Sequence, residues 1–281
     1  MNHARLLVLS AALCVSAHAF VPQAGVWVVN AENNGLPGRG LGIDVQNNIF
    51  AMQVFAYDAD GRPAFFTAVG TLADQRVSTQ MLRHQGGPSF GSGPRQAVTV
   101  GSVGTVSLRF TDGLNGFVTF PGETEKAISR LNFGYAANAA NLKGVWVLTS
   151  YTPSGWVAEA PLLQTTLSSG TYGNGLVASA DGRYGCENQT SGSYVGQILC
   201  IKLNASYSLE KIYAYRNSVN EGEGDWWPAN GGTGYALYVK RLTSPSGNIN
   251  GLLRAEDAVV DHAVAPLQAQ LNALGAAPPL R

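Results

Sequence analysis

Alternating apolar and polar positions run through most of this chain and predict short β-strands. The clearest stretch covers residues 40–72. It opens with a run in which Leu41, Ile43 and Val45 share one face, because successive side chains of a strand point to opposite faces. A second apolar run, the turn-forming residues 58–63 and a third run follow. We therefore predict three antiparallel strands here.

The rest of the first half repeats this kind of pattern. Further strands are predicted at residues 23–30, 75–83, 98–103, 104–111, 117–120 and 127–133. Residues 98–103 and 104–111 are predicted to pair with each other. Roughly eight short strands at near-regular spacing favour an antiparallel meander curled into a barrel or sandwich.

After a small-residue linker at 135–141 the sequence starts again. Gly144-Val145-Trp146 repeats Gly25-Val26-Trp27, and residues 180–183 repeat the Ala-Asp-Gly-Arg of residues 59–62 at a nearly equal offset. This order indicates a diverged duplication. The second half has its own predicted strands at 198–203, 211–215 and 235–242.

The predicted fold class is all-β: two tandem small antiparallel β-barrels or sandwiches with a C-terminal helix. The predicted boundaries are 20–135 for the first β domain, 136–254 for the second, and 255–281 for the C-terminal helix and tail. In this tail, apolar residues fall at helical spacing, with Pro266 kinking the helix or restarting it at its first turn. These residues are Val260, Val264, Leu267, Leu271 and Leu274. Their face either docks on one of the domains or forms a surface for a partner.

The first 19 residues read as a secretory signal peptide. Basic residues precede an apolar run from Leu6 to Ala17, and Ala17-His18-Ala19 forms a small-x-small cleavage site. No other stretch is long and apolar enough to span a membrane. We therefore expect a secreted or periplasmic protein. The 18 acidic and 18 basic residues are balanced, which gives no basic stripe for nucleic acid.

Loss of the signal peptide would leave two cysteines, Cys186 and Cys200. In an oxidising compartment they predict a disulfide, which would contribute about 3 kcal/mol of stability by constraining the unfolded chain. A two-thiol metal site and a nucleophilic cysteine are the alternatives, and neither has a nearby histidine in sequence.

Few catalytic chemistries are open to the mature chain. Only His84 and His262 would remain, so a histidine-rich metal site is excluded. The sequence lacks a nucleophile elbow and a phosphate-cradling loop. Asp58-Ala59-Asp60-Gly61 is better explained as a hairpin turn than as a calcium loop. We predict no metal and no cofactor.

Two polar and aromatic stretches are candidate ligand-binding sites. The first half offers a strand exit, where barrels commonly bind ligands. Its residues are Trp27, Asn30, Glu32 and Arg39. The second half offers an acidic stretch beside two tryptophans, Glu221, Glu223, Asp225, Trp226 and Trp227. We expect this stretch to be a loop. If it were extended, its three carboxylates would share one face and could bind sugar or, as a pair, cleave a glycoside.

The first half also resembles a repeat found in secreted bacterial β-rich proteins of unknown function. The resemblance rests on Gly25-Val26-Trp27, Asn30-Ala31-Glu32, the strand of residues 40–46, the Tyr-Asp turn of residues 55–63, and Gly87-Pro88-Ser89-Phe90-Gly91. It covers residues 25–133. Here Val28 replaces the second tryptophan of the usual G-x-W-W. The resemblance implies export and β structure, and it implies no activity.

Together these features predict a non-catalytic exported protein that recognises an extracellular or envelope ligand, a polysaccharide or a protein, through loops and aromatics. One alternative is a secreted hydrolase that uses the carboxylates of residues 221–225. Another is a structural or inhibitory module with the C-terminal helix as its interaction surface.

Overall fold

The first half of the chain forms a closed barrel. The computed structural model describes residues 20–134, 136–168, 170–246 and 264–279. Within it, eight antiparallel strands follow each other in sequence order, and β1 pairs with both β2 and β8. The strands are β1 Gly25–Val29, β2 Gly40–Gln46, β3 Ile49–Tyr57, β4 Pro63–Thr71, β5 Arg76–Gly86, β6 Ala97–Phe110, β7 Asn115–Thr119 and β8 Lys126–Arg130. The predicted meander and its curling are confirmed.

Alternation along these strands fills the barrel. The inward positions of β2 and β3 carry Leu41, Phe50 and Met52, which are buried together with their counterparts on the other strands. Trp27 is fully buried in this core, with its ring edge-on to Phe110 at 5.5 Å between centroids. A closed barrel has no exposed sheet edge, so this core is sealed by its own strands.

One detail of the predicted strand pairing is wrong. Residues 98–103 and 104–111 do not form a hairpin but belong to one strand, β6, which pairs with β5 along most of its length. The register shifts twice, between Met81 and Leu82 and again shortly after. Gly101 and Gly104 adopt positive φ angles of 151° and 126°, conformations that suit glycine. They therefore let β6 bend at these irregularities without making a turn.

The second half forms a second antiparallel sheet. Its order is β10-β9-β18-β17-β16-β15-β14-β13-β12, and β11 also pairs with β9. The strands are β9 Gly144–Thr152, β10 Gly155–Glu159, β11 Leu162–Leu163, β12 Thr165–Leu167, β13 Gly173–Ala178, β14 Tyr184–Gln189, β15 Ile198–Leu203, β16 Leu209–Ser218, β17 Glu221–Pro228 and β18 Tyr235–Arg241. Because β10 and β11 pair with β9 whereas β12 pairs with β13, the segment 155–167 connects the two ends of the sheet.

The two halves share local features at corresponding positions. Trp27 Nε1 donates to the carbonyl of Gln23, and Trp146 Nε1 donates to that of Leu142, each four residues back, at 3.0 and 2.8 Å. In each half, the repeated Ala-Asp-Gly-Arg forms a hairpin turn with its glycine at positive φ. These parallels agree with the expected duplication. A common origin of the halves and the expected domain boundaries stay predictions.

The C-terminal helix docks on its own sheet. Helix α1, Val264–Ala276, contains Pro266. Leu267 and Leu271 are fully buried against an apolar outer face of the sheet that includes Leu199 and Ile201. The alternative prediction, that the apolar face of the tail is an exposed surface for a partner, is therefore wrong at Leu271, because this side chain already packs in the core.

Several expectations fall on parts of the chain that are not described. The signal peptide at 1–19, the start of the predicted helix at 255–263, Val260 and His262 lie outside the described residues. Among the helices that are described, none has both the length and the apolar character needed to cross a membrane.

The predicted disulfide is confirmed. Cys186 on β14 and Cys200 on β15 are direct cross-strand partners and are bonded to each other. Both lie in the buried cluster of the second sheet, beside Tyr213 and Tyr215.

Candidate functional site

The predicted ligand rim of the first half is occupied by the protein's own contacts. Trp27 is fully buried in the barrel, so it offers no surface to a ligand. Arg39 Nη2 lies 2.5 Å from Glu32 Oε1, and Arg39 Nη1 lies 2.6 Å from Glu123 Oε1. Asn30 Oδ1 accepts a hydrogen bond from Ser129 at 2.8 Å.

The burial of Trp27 corrects one part of the first-half prediction, and the ligand contacts expected of Asn30, Glu32 and Arg39 stay predictions. The hydrogen bond from Arg39 lowers the pKa of Glu32, so this carboxylate stays ionised and paired near neutral pH. The strand exit is thus a closed ion-pair network that holds the loop after β1. Turn geometry likewise explains Asp58, whose Oδ1 accepts from the backbone N–H groups of Asp60 and Arg62. The described residues contain no cluster of His, Cys, Asp and Glu suited to a metal ion.

The acidic stretch of the second half is a strand, not the expected loop. Residues 221–228 form β17, which pairs with β16 on one side and β18 on the other. Extension places Glu221, Glu223 and Asp225 on the same outer face. The next two residues are buried: Trp226 stacks on Tyr235 at 4.9 Å, and Trp227 packs in the cluster beneath α1. Neither tryptophan is therefore available as a sugar platform, which corrects that prediction.

Glycine makes this strand possible. A Cβ at Gly224 would lie 2.0 Å from the Ala214 carbonyl oxygen, and one at Gly222 would lie 2.8 Å from that of Arg216. The neighbouring strand β16 thus approaches so closely that only glycine fits. The same glycines suggested a loop from sequence, because glycine is generally depleted in strands.

The outer face around β17 forms one wall of a cleft, which we call the interdomain cleft. Strand register places Thr149, Tyr238, Glu223 and Arg216 side by side across four strands. Beyond them, Tyr151 and Trp156 face each other at the β9–β10 hairpin, with ring centroids 5.3 Å apart. The cleft has a volume of about 770 Å³, within the range of ligand sites.

The opposite wall comes from the first barrel. It consists of the segment before β1 and the turn between β6 and β7. Gln23 Nε2 donates to the Glu221 carbonyl at 3.2 Å, and Arg216 Nε lies 3.9 Å from Asp112 Oδ2. Arg130 also donates to the Ser218 hydroxyl. The two halves are thus joined by polar contacts beside the cleft.

The carboxyl group of Glu223 is partly buried in this cleft. Its Oε2 is buried and has no hydrogen-bond partner in the part of the chain that the structure describes. The turn at Gly113 covers it, since a Cβ at Gly113 would lie 3.2 Å from this oxygen. Burial, with smaller contributions from the negative charges of Asp112 and Glu221, raises the pKa of Glu223 to about 7.

This raised pKa makes the stability of the protein depend on pH. The pKa of Glu223 rises from 4.5 to about 7 on folding, so between these values the folded chain binds more protons than the unfolded chain. Stability should therefore fall as pH rises through this window. Glu223→Gln removes the cost of ionisation. We compare the free energy of unfolding of the variant with that of wild type. We expect the difference, in favour of the variant, to be larger at pH 8 than at pH 4 by about 1 to 2 kcal/mol, a value that allows for solvent screening.

Urea unfolding of both proteins at several pH values measures this gain. A difference in free energy of unfolding that stays constant between pH 4 and pH 8 would mean that Glu223 titrates normally.

Sequence reasoning missed the exposed aromatics of the cleft. Trp156 and Tyr151 are 78% and 66% exposed. The available signal was the turn sequence Thr152-Pro153-Ser154-Gly155 between them, which predicts a hairpin with an aromatic residue on each side. In sequence, Asp112 precedes Gly113 and is typical of a turn. It does serve the turn, accepting from the N–H groups of Leu114 and Asn115, and it also faces the cleft.

In comparisons with family models, curated proteins and solved structures, nothing matches this chain. Its function must therefore be argued from the geometry of the cleft.

Proposed function

We propose that this protein is an exported, non-catalytic binding protein that recognises a polysaccharide in the interdomain cleft. The observation that carries the proposal is the exposed pair Tyr151 and Trp156 at the edge of a cleft whose floor bears Glu221, Glu223 and Asp225. Aromatic rings provide apolar faces for the C–H surface of a sugar ring, while carboxylates accept hydrogen bonds from hydroxyl groups.

Two further features support a sugar over a protein ligand. The cleft is concave and bounded by both halves, whereas protein interfaces of standard size bury about 800 Å² per partner. Its charged groups are mainly acidic, which favours neutral or amine-bearing sugars over acidic ones. The disulfide is compatible with a non-cytoplasmic location and agrees with the export expected from the sequence.

A glycan array with the purified mature chain, followed by titration calorimetry on the best neutral hit, tests the proposal. We expect Trp156→Ala to weaken binding by about tenfold or more, because an exposed aromatic anchor typically contributes at least 1 to 2 kcal/mol. The matched control is Phe90→Ala, which removes an exposed ring on a loop of the first barrel and should leave affinity unchanged. Equal affinity of Trp156→Ala and wild type would contradict the proposal.

Glycoside hydrolysis is a second candidate, favoured by one observation. Burial raises the pKa of Glu223 to about 7, and Glu223 faces Asp112, which accepts four hydrogen bonds from Leu114 and Asn115. Carboxyl groups in such different environments are typical of an acid and a base. Wild type and Glu223→Gln are each incubated with the same glycan. Release of shorter chains by wild type but not by Glu223→Gln would favour hydrolysis. Intact chains after prolonged incubation would favour recognition alone.

A further inference from the structure

A second, smaller pocket lies beside the interdomain cleft. It has a volume of about 160 Å³ and is more enclosed than the cleft. Leu114, Gln197 and Arg216 line both, so the two spaces are neighbours. We call it the amide pocket, because amide side chains dominate its lining. They include Asn132, Asn141, Asn174, Asn188, Gln197 and Asn217.

The chemistry of the amide pocket is that of a site for hydroxyl groups. Each carboxamide offers both donors and an acceptor, and a sugar hydroxyl needs both. Among the described lining residues there is no carboxylate. Of the two guanidinium groups that line the pocket, Arg216 lies 3.9 Å from Asp112, so part of its charge is offset. This lining suits a neutral polyhydroxylated ligand.

The amide pocket is held in place before any ligand arrives. Arg241 packs its guanidinium over the Trp146 ring at 4.4 Å and donates to the Asn141 carbonyl. Asn141 Nδ2 donates to Ala136 at 2.9 Å, and Asn174 Nδ2 donates to the Ala137 carbonyl at 2.5 Å. Side chains fixed in this way lose little freedom on binding.

One amide of the pocket lacks a partner. Asn188 is only 9% exposed, and its buried Nδ2 has no hydrogen-bond partner in the described chain. Unsatisfied buried donors are rare in proteins because they lose their water without replacement. A ligand hydroxyl would supply the missing acceptor after a small rotation of this amide.

We propose that the amide pocket binds the terminal sugar unit of an oligosaccharide whose next units lie in the interdomain cleft. This inference rests on the proposed function of the cleft. The small volume admits about one ring, since pockets for larger ligands begin at roughly 300 Å³. Because the pocket has room for only about one ring, we expect the chain to enter it by its end. The protein then recognises chain ends, not internal segments.

Titration calorimetry with the best neutral array hit, as chains of about 4, 8 and 16 units, tests this inference. We expect the number of proteins bound per chain to stay constant with length. Asn188→Leu should weaken binding of the tetramer by about tenfold or more, because it removes a buried donor. Asn217→Ala is a second variant in case Asn188→Leu does not fold, which circular dichroism would show.

The outcomes separate this inference from the proposed function. If the number bound grows in proportion to length, and both amide variants bind like wild type while Trp156→Ala does not, the end-binding inference is overturned and the cleft remains a binding site. If no glycan on the array binds wild type, both are overturned. Constant stoichiometry with weakened binding in the amide variants supports both.

Discussion

Replacing Trp146 with alanine is expected to lower the free energy of unfolding by about 3 to 5 kcal/mol, the usual cost of emptying a large aromatic site in a core. Trp146 is almost fully buried on the first strand of the second sheet. Its Nε1 donates to the Leu142 carbonyl at 2.8 Å, and its ring carries the guanidinium of Arg241. Its removal leaves a cavity, takes away this hydrogen bond to the Leu142 carbonyl, and takes away the aromatic ring on which the Arg241 guanidinium packs.

Urea unfolding followed by circular dichroism measures this loss. Trp27→Ala should cost a similar amount, because Trp27 occupies the corresponding place in the first barrel. Trp156→Ala is the matched control, and we expect it to change stability by less than about 0.5 kcal/mol because the ring is exposed. A loss below 1 kcal/mol for Trp146→Ala would show that this ring does not organise the second core.

Opening the disulfide is expected to cost about 3 kcal/mol. Cys186 and Cys200 are separated by 14 positions in sequence, and a loop of this size gives that value from chain entropy. Both sulfurs lie in the buried cluster. Cys186→Ala combined with Cys200→Ala removes the bridge without leaving a free thiol there. The double variant should unfold at lower urea concentration than wild type.

Mass spectrometry and reductant provide the control for this prediction. Reduction should add two hydrogen atoms to the unfolded wild-type chain, with both electrons supplied by the reductant, and should leave the mass of the double variant unchanged. If the wild-type mass does not change, or if the double variant is as stable as wild type, the bridge does not contribute as expected.

Periodicity predicted the first barrel well because its strands are half-buried. One face of β2 and β3 packs in the barrel, so the apolar positions alternate along them. The sequence predicted two strands where the structure has one, β6, because glycines such as Gly101 and Gly104 occur in bends within a strand as well as in turns between strands. Whether a glycine bends or ends a strand is decided by the partner strand, and the local sequence does not contain that information.

The candidate site was found only in part. Glu221, Glu223 and Asp225 were identified from sequence, but their place on a strand depends on close packing of Gly222 and Gly224 against β16. Trp226 and Trp227 were candidate ligand contacts because they lie beside the carboxylates in sequence, yet both are buried, in separate apolar clusters. The aromatics that do face the cleft come from β9 and β10, distant in sequence, and only the fold brings them beside β17.

Amide hydrogen exchange with the best array glycan tests the central claim most directly. If the interdomain cleft is the binding site, protection on adding the glycan should concentrate at strands β9, β10 and β17, around Tyr151, Trp156 and Glu223. The outer face of the first barrel near Phe55 and Phe65 should exchange as it does without glycan. Protection at that outer face, with no change in β9, β10 and β17, would contradict the claim.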